Sequence, residues 1–250
     1  MIEQIPVFTR KNITELNNNL DNYPNGFILI LNKPYKWTSA DAVRKIKFSL
    51  HRYFHKNKIK VGHAGTLDPL ATGLLILCVG NATKKSEILQ ASDKEYIAKI
   101  KFGATTPSFD LEKEIDETFP FEHINREMIE EALKSFIGEQ EQIPPKFSAK
   151  FINGVRAYEI ARTGEEVEMH PAKIFIESIT IIDFSLPELT IRIKCGKGTY
   201  IRSLARDIGI ALKSGAHLTG LTRCSSGSYT LSDSIELNDL VNIVSKNETF

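Results

Sequence analysis

The sequence predicts an α+β protein in which helices flank a mostly antiparallel central sheet. Patterns typical of strands and of helices follow one another irregularly along the 250 residues, unlike the regular alternation of a doubly wound parallel sheet. No segment of the chain repeats another. With 42% hydrophobic and 25% charged residues, the chain can bury a proper core as one large domain or two small ones.

The chain begins with a polar stretch and continues with a strand and a helix. Residues 1–24 are rich in asparagine, and we expect them to form an appended N-terminal extension. Residues 27–31 are a short apolar run typical of a buried strand. Thr38 or Ser39 is expected to cap a helix whose apolar face comprises Val43, Ile46 and Leu50.

The middle of the chain predicts two strands, one helix and an irregular segment. Residues 73–79 are typical of a buried strand, and residues 96–102 alternate between apolar and polar side chains as an exposed-edge strand would. Residues 124–137 form an amphipathic pattern that predicts a helix ended by Gly138. The next segment mixes prolines, glycines, aromatic and basic residues, which is typical of irregular structure on a protein surface.

The last third of the chain predicts two more strands and a helix. Residues 173–184 and 189–195 have strand-like patterns, and a glycine turn follows at residues 196–198. A helix then ends near Gly215, and its apolar face comprises Ile201, Leu204, Ala205, Ile208 and Leu212.

Charge is unevenly distributed, although the formal net charge is only +1. Seven lysine and arginine residues lie between Asp41 and Asp68 with no acidic residue among them, and residues 190–206 form a second acid-free stretch. Residues 110–141 are acidic. A polyanion could therefore bind one basic surface while the acidic segment stays clear of it. The alternative, that these runs are only solvated surface, stays open.

Composition and spacing argue against several function classes. The longest apolar run, residues 74–79, is too short for a membrane span and the polar N-terminus is not a secretory signal, so a cytoplasmic location is expected. Three cysteines without a CxxC pattern predict neither disulfides nor a zinc site. His51 and His55 have the spacing of a zinc-binding pair but no third ligand, and we expect no metal. The chain contains neither a phosphate-binding loop nor a G-x-S-x-G elbow.

Asp68 is the one acidic residue in the stretch VGHAGTLDPLATGLLILCVG, residues 61–80. An Asp-Pro pair ordinarily marks a turn in which the carboxylate accepts hydrogen bonds from nearby amides. Gly62, Gly65 and Gly73, however, permit backbone conformations and a close approach by a partner that other residues prevent. Three glycines around one carboxylate hint at a site that receives a ligand.

Five blocks of sequence occur in a fixed order along the chain. They are GFILILNKPYKWTSADAV, GHAGTLDPLATGLL, DKEYIAKIKFG, QIPPKFSAKFINGVRAYEIARTGEEVE, and CGKGTYIRSLARDIG followed by GAHLTGLTR. In this order the blocks resemble the TruB family of tRNA pseudouridine synthases. The resemblance extends from about Gly26 to Val244 and so covers nearly the whole chain.

The resemblance implies a pseudouridine-synthase fold with a basic, thumb-like insertion over about residues 140–170. It also implies that the chain converts one uridine, position 55 in the T-loop of tRNA, to pseudouridine. The base is detached from the ribose, turned and rejoined through carbon 5. No metal or organic cofactor is implied, because the bonds that break and form all lie within one nucleotide.

Three residues are implied as catalytic. An ionised Asp68 could stabilise the positive character that develops at the sugar, attack the sugar, or accept a proton. The resemblance pairs Arg202 with Asp68, and a neighbouring cation would keep a buried carboxylate ionised. Tyr200 precedes Arg202 by two residues, on the same side of an extended backbone. It would lie against the uracil and take part in removing the carbon-5 proton.

Four further residues are implied in substrate binding. The target base lies inside a folded loop and must be turned out of its stack before reaction. Tyr96 would then stack on the uracil, a contribution of about 1–3 kcal/mol for a base on an aromatic ring. His63 would fill the space left in the loop, and Leu221 would line the pocket. Lys33 would hold either the local architecture or a phosphate.

The resemblance also implies a domain organisation. Residues 25–250 would form the catalytic domain, while residues 1–24 have no counterpart and would be either disordered or a source of replacement RNA contacts. Family members usually carry a C-terminal PUA domain that grips the acceptor end of tRNA, and none is expected here. We therefore expect a monomer that binds the T-arm stem-loop of tRNA without a membrane or an obligatory protein partner.

Two alternatives stay open. A non-catalytic RNA-binding or RNA-folding module would need only the basic stretches, although it would have no use for the pair of Asp68 and Arg202. The same chemistry could also act on another RNA, or under the guidance of a partner ribonucleoprotein, as in relatives of the H/ACA type.

Overall fold

The computed structural model of the protein describes residues 5–148, 150–152, 154–157, 160 and 169–246. The α-helices with both ends in these residues are α1 (Ser39–Tyr53), α2 (Ser86–Ala91), α3 (Arg126–Ser135), α4 (Ile201–Ala211) and α5 (Leu237–Lys246). The strands are β1 (Val7–Phe8), β2 (Phe27–Lys33), β3 (Val61–His63), β4 (Ala71–Val79), β5 (Lys94–Phe102), β6 (Ala104–Thr105), β7 (Glu117–Thr118), β8 (Gly138–Gln142), β9 (Phe151–Ile152), β10 (Val155–Arg156), β11 (Ala172–Ser185), β12 (Glu188–Cys195), β13 (Ala216–Ser226), β14 (Tyr229–Thr230) and β15 (Ile235–Glu236). Their pairings are mostly antiparallel, which confirms the predicted α+β class.

The chain divides into two compact units, of which the first comprises residues 1–95 and 222–250. Its strands are ordered β1, β2, β4 and the end of β13. β2 and β4 are antiparallel, with Ile30 opposite Ile76, and β3 pairs with β4. β1 and β15 both pair with β2 in parallel.

Both faces of this sheet are buried, which explains why β2 and β4 are continuous apolar runs rather than alternating ones. One face packs with α1 and α5 in a cluster that includes Leu29, Leu77, Ile46 and Leu240. Alternate residues of the same strands enter a second cluster, which comprises Ile5, Ile28, Ile30, Ala64, Leu74, Ile76, Cys78, Ala82 and Leu89. Because burying one leucine or isoleucine side chain contributes about 1.5–3 kcal/mol, these two layers dominate the stability of the unit.

The start of α1 is fixed by a capping box. The Thr38 side chain accepts a hydrogen bond from the backbone N–H of Asp41, and the Asp41 carboxylate accepts one from the backbone N–H of Thr38. The predicted cap at Thr38 is thus confirmed, and Ser39 becomes the first residue of the helix.

The described part of the N-terminal segment, residues 5–24, packs onto the first unit. Phe8, Ile13 and Leu16 are each no more than 5% exposed and belong to the same cluster as α1. The Phe8 ring meets the Phe27 ring edge-on, with centroids 5.5 Å apart. The polar composition predicts an appended extension, whereas these spaced apolar side chains anchor the segment in the core.

The second unit comprises residues 96–221. Its strands are ordered from the beginning of β13 through β5, β12 and β11 to β8. β11 and β12 form an antiparallel hairpin in which Ile179 lies opposite Ile193, and β8 adds to the outer edge of β11. The helix α4 buries the predicted apolar face, including Ile201, Leu204 and Ile208.

Two features of the second unit differ from the sequence-based expectation. Tyr96, Ala98, Ile100 and Phe102 share a buried face as predicted, but β5 lies between β13 and β12 rather than at an edge. An alternating pattern shows which face of a strand meets solvent and does not identify its neighbours. β13 is not among the predicted strands, because glycine, which is depleted in strands, interrupts GAHLTGLTR.

The predicted surface insertion over about residues 140–170 falls partly outside the described residues. Its described part includes the antiparallel pair β9 and β10. No helix in the described ranges has both the length and the apolar character that a membrane span requires.

Replacement of Leu16 by alanine tests whether the N-terminal segment belongs to the core. Leu16→Ala is expected to lower the free energy of unfolding by about 2–5 kcal/mol, because it removes a buried side chain and leaves a cavity. Urea denaturation followed by circular dichroism measures the change. Lys11→Gln, at an exposed ion pair with Asp233, is the matched control and is expected to cost less than about 1 kcal/mol. Equal, near-zero effects would show that the segment is only appended.

Candidate active site

Asp68 lies between β3 and β4 in residues 64–70, which we call the Asp68 loop. The backbone N–H of Ala64 donates to the Ile76 carbonyl over 2.9 Å and closes the base of the loop. The backbone N–H of Ala71 donates to the Asp68 carbonyl over 3.1 Å, so the Asp-Pro pair does form a turn. Gly65 has a φ of +104°, which favours glycine. The Asp68 side chain is half-buried at the tip of this structure.

The N-terminus of α1 holds the centre of the Asp68 loop. Ser39 Oγ accepts a hydrogen bond from the Leu67 N–H at 2.8 Å and lies 3.1 Å from the Leu67 carbonyl, to which it donates. Both groups of one loop residue are therefore satisfied by a single buried hydroxyl. Since Ser39 begins α1, the capping box that fixes the helix also fixes the loop.

Lys33, at the end of β2, is a fully buried cation beside the loop. Its Nζ donates to the carbonyls of Pro34 at 3.0 Å, Trp37 at 2.6 Å and Pro69 at 3.3 Å. Burial lowers the pKa of Lys33 to about 8. The attraction of Asp68 opposes this shift, and the repulsion of Arg223 adds to it. Two roles are expected for Lys33, which are to hold the local architecture or to hold a phosphate. These contacts support the first role.

Arg223, in β13, is a second buried cation and is only 1% exposed. Its Nε donates to the Leu74 carbonyl at 2.7 Å, and its Nη2 donates to the Gly65 carbonyl at 3.1 Å. Its Nη1 donates to the Thr66 carbonyl at 3.4 Å. One guanidinium thus contacts the chain on both sides of Asp68. Arg223 is not among the site residues expected from the sequence, although it lies in the last matching block.

Close packing of β4 against β13 brings Arg223 to this position. Gly73 has a φ of +105°, and a Cβ atom there would overlap the Arg223 backbone. The hydroxyls of Thr72 and Thr222 lie 3.0 Å apart and share a hydrogen bond. Of the three glycines that the sequence analysis singled out, Gly73 therefore serves strand packing.

Positive side chains line the surface between α1 and β3. A groove of about 470 Å³ is bordered by His63 and Gly62 on β3 and by Arg44 and Lys47 on α1. Arg44 also borders a second groove, of about 480 Å³, whose lining includes Lys36, Trp37, Lys45 and Phe48. We call Lys36, Arg44, Lys45 and Lys47 the α1 basic surface.

One carboxylate, that of Asp41, lies beside the α1 basic surface. Asp41 lies 3.1 Å from Arg44, and hydrogen bonds from Thr38 lower the pKa of Asp41.

Phe48 is 60% exposed, and the Arg52 guanidinium lies 5.9 Å from its ring centroid. Exposed aromatic rings among cations are a combination suited to nucleic acid.

In the second unit, Arg202 is buried at the start of α4. Its Nη1 donates to the Ser108 carbonyl at 3.2 Å and its Nη2 to the Phe147 carbonyl at 2.9 Å. Its Nε lies 3.8 Å from Asp110 Oδ2 in a nearly buried ion pair. Asp110 begins the acidic stretch of residues 110–141, yet it is buried inside the unit beside an arginine.

Tyr200 is the residue before α4, which begins at Ile201. Its backbone N–H donates to Gln142 Oε1 at 2.8 Å, and its carbonyl accepts from Gln142 Nε2 at 3.1 Å. The prediction that Tyr200 and Arg202 share one side of an extended backbone is wrong, because Arg202 already has helical geometry. Gln142 was not identified from the sequence, since glutamine carries no charge or motif signal.

The remaining predicted residues lie on strands. Tyr96 is 9% exposed on the buried face of β5, and Leu221 is half-buried on β13. Lys33, His63 and Asp68 belong to the first unit, whereas Tyr96, Tyr200, Arg202 and Leu221 belong to the second. Among the described side chains, no group of three or more histidine, cysteine, aspartate or glutamate residues is arranged to hold a metal.

Comparison with known proteins identifies the family. Residues 51–201 match the model of the TruB family pseudouridylate synthase N-terminal domain, and residues 202–249 match that of the tRNA pseudouridylate synthase B C-terminal domain. The tRNA pseudouridine synthase B of Phocaeicola vulgatus is 56% identical over 216 residues, which are 86% of this chain and 92% of that protein.

Solved structures agree with this result. A chain of a Cbf5–Nop10–Gar1 complex superposes with a TM-score of 0.67 at 27% identity, over 94% of this chain and 58% of that chain. A chain of an H/ACA ribonucleoprotein bound to a substrate RNA containing 2′-deoxyuridine gives a TM-score of 0.63 at 27% identity, over 87% and 53%. The fold, the matched family models and the 56% identity to a relative over 92% of its length together show that the chain belongs to the TruB family of pseudouridine synthases.

Proposed function

We propose that the chain converts uridine 55 in the T-loop of tRNA to pseudouridine. The observation that carries this proposal is a half-buried carboxylate, Asp68, in a loop held by two buried cations, within a chain of the TruB family. The names of its relatives give tRNA as their substrate. The isomerisation detaches the base, turns it and rejoins it through carbon 5, so a single nucleotide is both substrate and product.

Asp68 acts on the ribose in this proposal. Breaking the glycosidic bond builds positive character at the sugar, and an ionised carboxylate stabilises it, attacks it or accepts a proton. Lys33 and Arg223 are buried near the Asp68 loop and hold its backbone through hydrogen bonds to the carbonyls of Pro69, Thr66 and Gly65. The loop thus presents a charge whose position is set before the RNA arrives.

The other site residues keep the roles that the family implies. Arg202 serves as the cationic partner of Asp68. The observation that supports this role is that the carbonyls of Ser108 and Phe147 hold the Arg202 guanidinium in place. Tyr200 lies against the uracil and takes part in removing the carbon-5 proton. Tyr96 stacks on the flipped base, for which its strand gives it a rigid backbone.

Leu221 lines the pocket, and His63 fills the space that the flipped base leaves. His63 also borders the groove beside the α1 basic surface. RNA that leaves the Asp68 loop past His63 therefore meets Arg44 and Lys47, which are exposed at the groove. We propose that this surface holds the T-arm, and that a single chain suffices in the cytoplasm without a protein partner.

Asp68→Asn is expected to abolish conversion, with a loss of about 10³-fold or more in the single-turnover rate, because it removes the charge and hardly the volume. RNA binding should stay within about threefold. Release of tritium from carbon-5-labelled uridine in tRNA measures the rate, and Asp239→Asn on the exposed face of α5 is the control. An Asp68→Asn variant that still releases label would show that the carboxylate is not catalytic, as expected for an RNA-binding module.

An isolated T-arm hairpin of about 17 nucleotides is expected to be modified by the purified chain with nearly the catalytic efficiency of whole tRNA. The reason is that the α1 basic surface lies directly beside the Asp68 loop. Steady-state kinetics on both RNAs at one salt concentration make the comparison. An advantage of about a hundredfold for whole tRNA would mean that another surface or a partner supplies recognition.

The double variant Arg44→Gln/Lys47→Gln is expected to weaken hairpin binding and to reduce the slope of log Kd against log salt by about 1 to 2, since each phosphate contact contributes about 0.7–0.9. The rate at saturating RNA should be unchanged. Lys11→Gln/Lys134→Gln removes the same charge from two exposed ion pairs elsewhere and is the matched control. Equal slopes for both double variants would exclude the α1 basic surface as the RNA contact.

A further inference from the structure

We infer that Arg223 is a positioning residue for Asp68, and that its guanidinium sets the shape of the Asp68 loop required for catalysis. This inference rests on the proposed function, because it concerns how the carboxylate is presented to the nucleotide. Arg223 lies more than 150 residues from Asp68 in sequence and reaches the loop only through the pairing of β13 beside β4.

The geometry of the guanidinium ties the two limbs of the loop to each other. Gly65 and Thr66 precede Asp68 and accept from the two Nη atoms at 3.1 and 3.4 Å. Leu74 follows Asp68 and accepts from Nε at 2.7 Å. Because a guanidinium is planar and rigid, these three bonds fix the separation of the two limbs. A flexible ammonium cannot reproduce that constraint.

Three side chains hold the loop at different points, and of these three only Arg223 contacts the chain on both sides of Asp68. Ser39 contacts Leu67, the residue before Asp68, and Lys33 contacts Pro69, the residue after it. These two contacts fix the neighbours of Asp68 relative to α1 and β2. Arg223 fixes the base of the loop relative to β4, which determines how far its tip projects.

The presence of an arginine at this buried position needs an explanation, because a charged side chain is costly to bury. Arg223 is the largest side chain that is almost fully buried in the described part of the chain, and its three hydrogen bonds go to neutral carbonyls. A methionine of similar length would fill the space without the desolvation cost. A rigid charged group at this point gives the loop one defined shape and adds positive potential near Asp68.

The test compares three variants on the T-arm hairpin. Arg223→Lys keeps the charge and loses the planar fork, Arg223→Met keeps most of the volume and loses both, and Arg223→Ala leaves room for free guanidinium. The readouts are the single-turnover rate at saturating RNA, the Kd for RNA, and the unfolding midpoint in urea. Leu16→Ala is the stability-matched control, since it lies outside the loop and the site.

We expect Arg223→Lys to lose about 10- to 100-fold in rate and Arg223→Met about 10³-fold, with Kd changed less than about threefold. Millimolar guanidinium should raise the single-turnover rate of Arg223→Ala at least tenfold and leave the rate of Asp68→Asn unchanged. Where Arg223→Met does not fold, Arg223→Lys and the rescue decide the outcome.

Three results would overturn the inference: wild-type rates in Arg223→Lys and Arg223→Met, a rate loss no larger than that of Leu16→Ala at equal stability, or no rescue of a folded Arg223→Ala. Failure of the proposed function would be seen in a different result. A wild-type chain that makes no pseudouridine in the hairpin or in whole tRNA would refute the function, and the inference would fall with it.

Discussion

The structure depends on one constraint, which is that two buried cations hold a short loop through its backbone carbonyls. Lys33 and Arg223 donate together to six carbonyl oxygens, three each, and four of these belong to residues 65–74 around Asp68. Burying two positive charges is costly unless their hydrogen bonds are satisfied. The end of β2, the first turn of α1 and the strand β13 all converge on this loop, and the packing of the first unit maintains their positions.

The elements that sequence analysis predicts well are those with a strong local signal. The apolar run at residues 27–31 and the cap at Thr38 are both found, because continuous burial and capping chemistry are properties of a few adjacent residues. The three glycines and the proline around Asp68 only hint at a ligand site, and the role of Asp68 is implied by the family resemblance. The buried apolar side chains of residues 5–24, which are those of Ile5, Phe8, Ile13 and Leu16, are missed because polar residues separate them in the sequence.

The residues that sequence analysis misses are defined by contacts between distant segments. Arg223 meets carbonyls about 150 residues away, and Asp110 meets Arg202 across more than 90 residues. Neither contact leaves a periodicity or a spacing in the sequence. The strand β13 is interrupted by Gly220, and because glycine is depleted in strands its local signal is weak. A charged residue in an acidic or basic stretch can therefore be buried, and only the tertiary structure distinguishes it from neighbours that are exposed to solvent.

We propose that Asp68, in this fixed loop, is the catalytic group with which the chain isomerises a uridine of tRNA. The most direct measurement is pseudouridine mapping at nucleotide resolution in tRNA from cells that lack the chain, before and after its re-expression. We expect uridine 55 to be unmodified in the deficient cells, and its modification to be restored by the wild-type chain but not by one in which asparagine replaces Asp68. Full modification of position 55 in the deficient cells, or its restoration by the asparagine form, would show that Asp68 of this chain is not responsible.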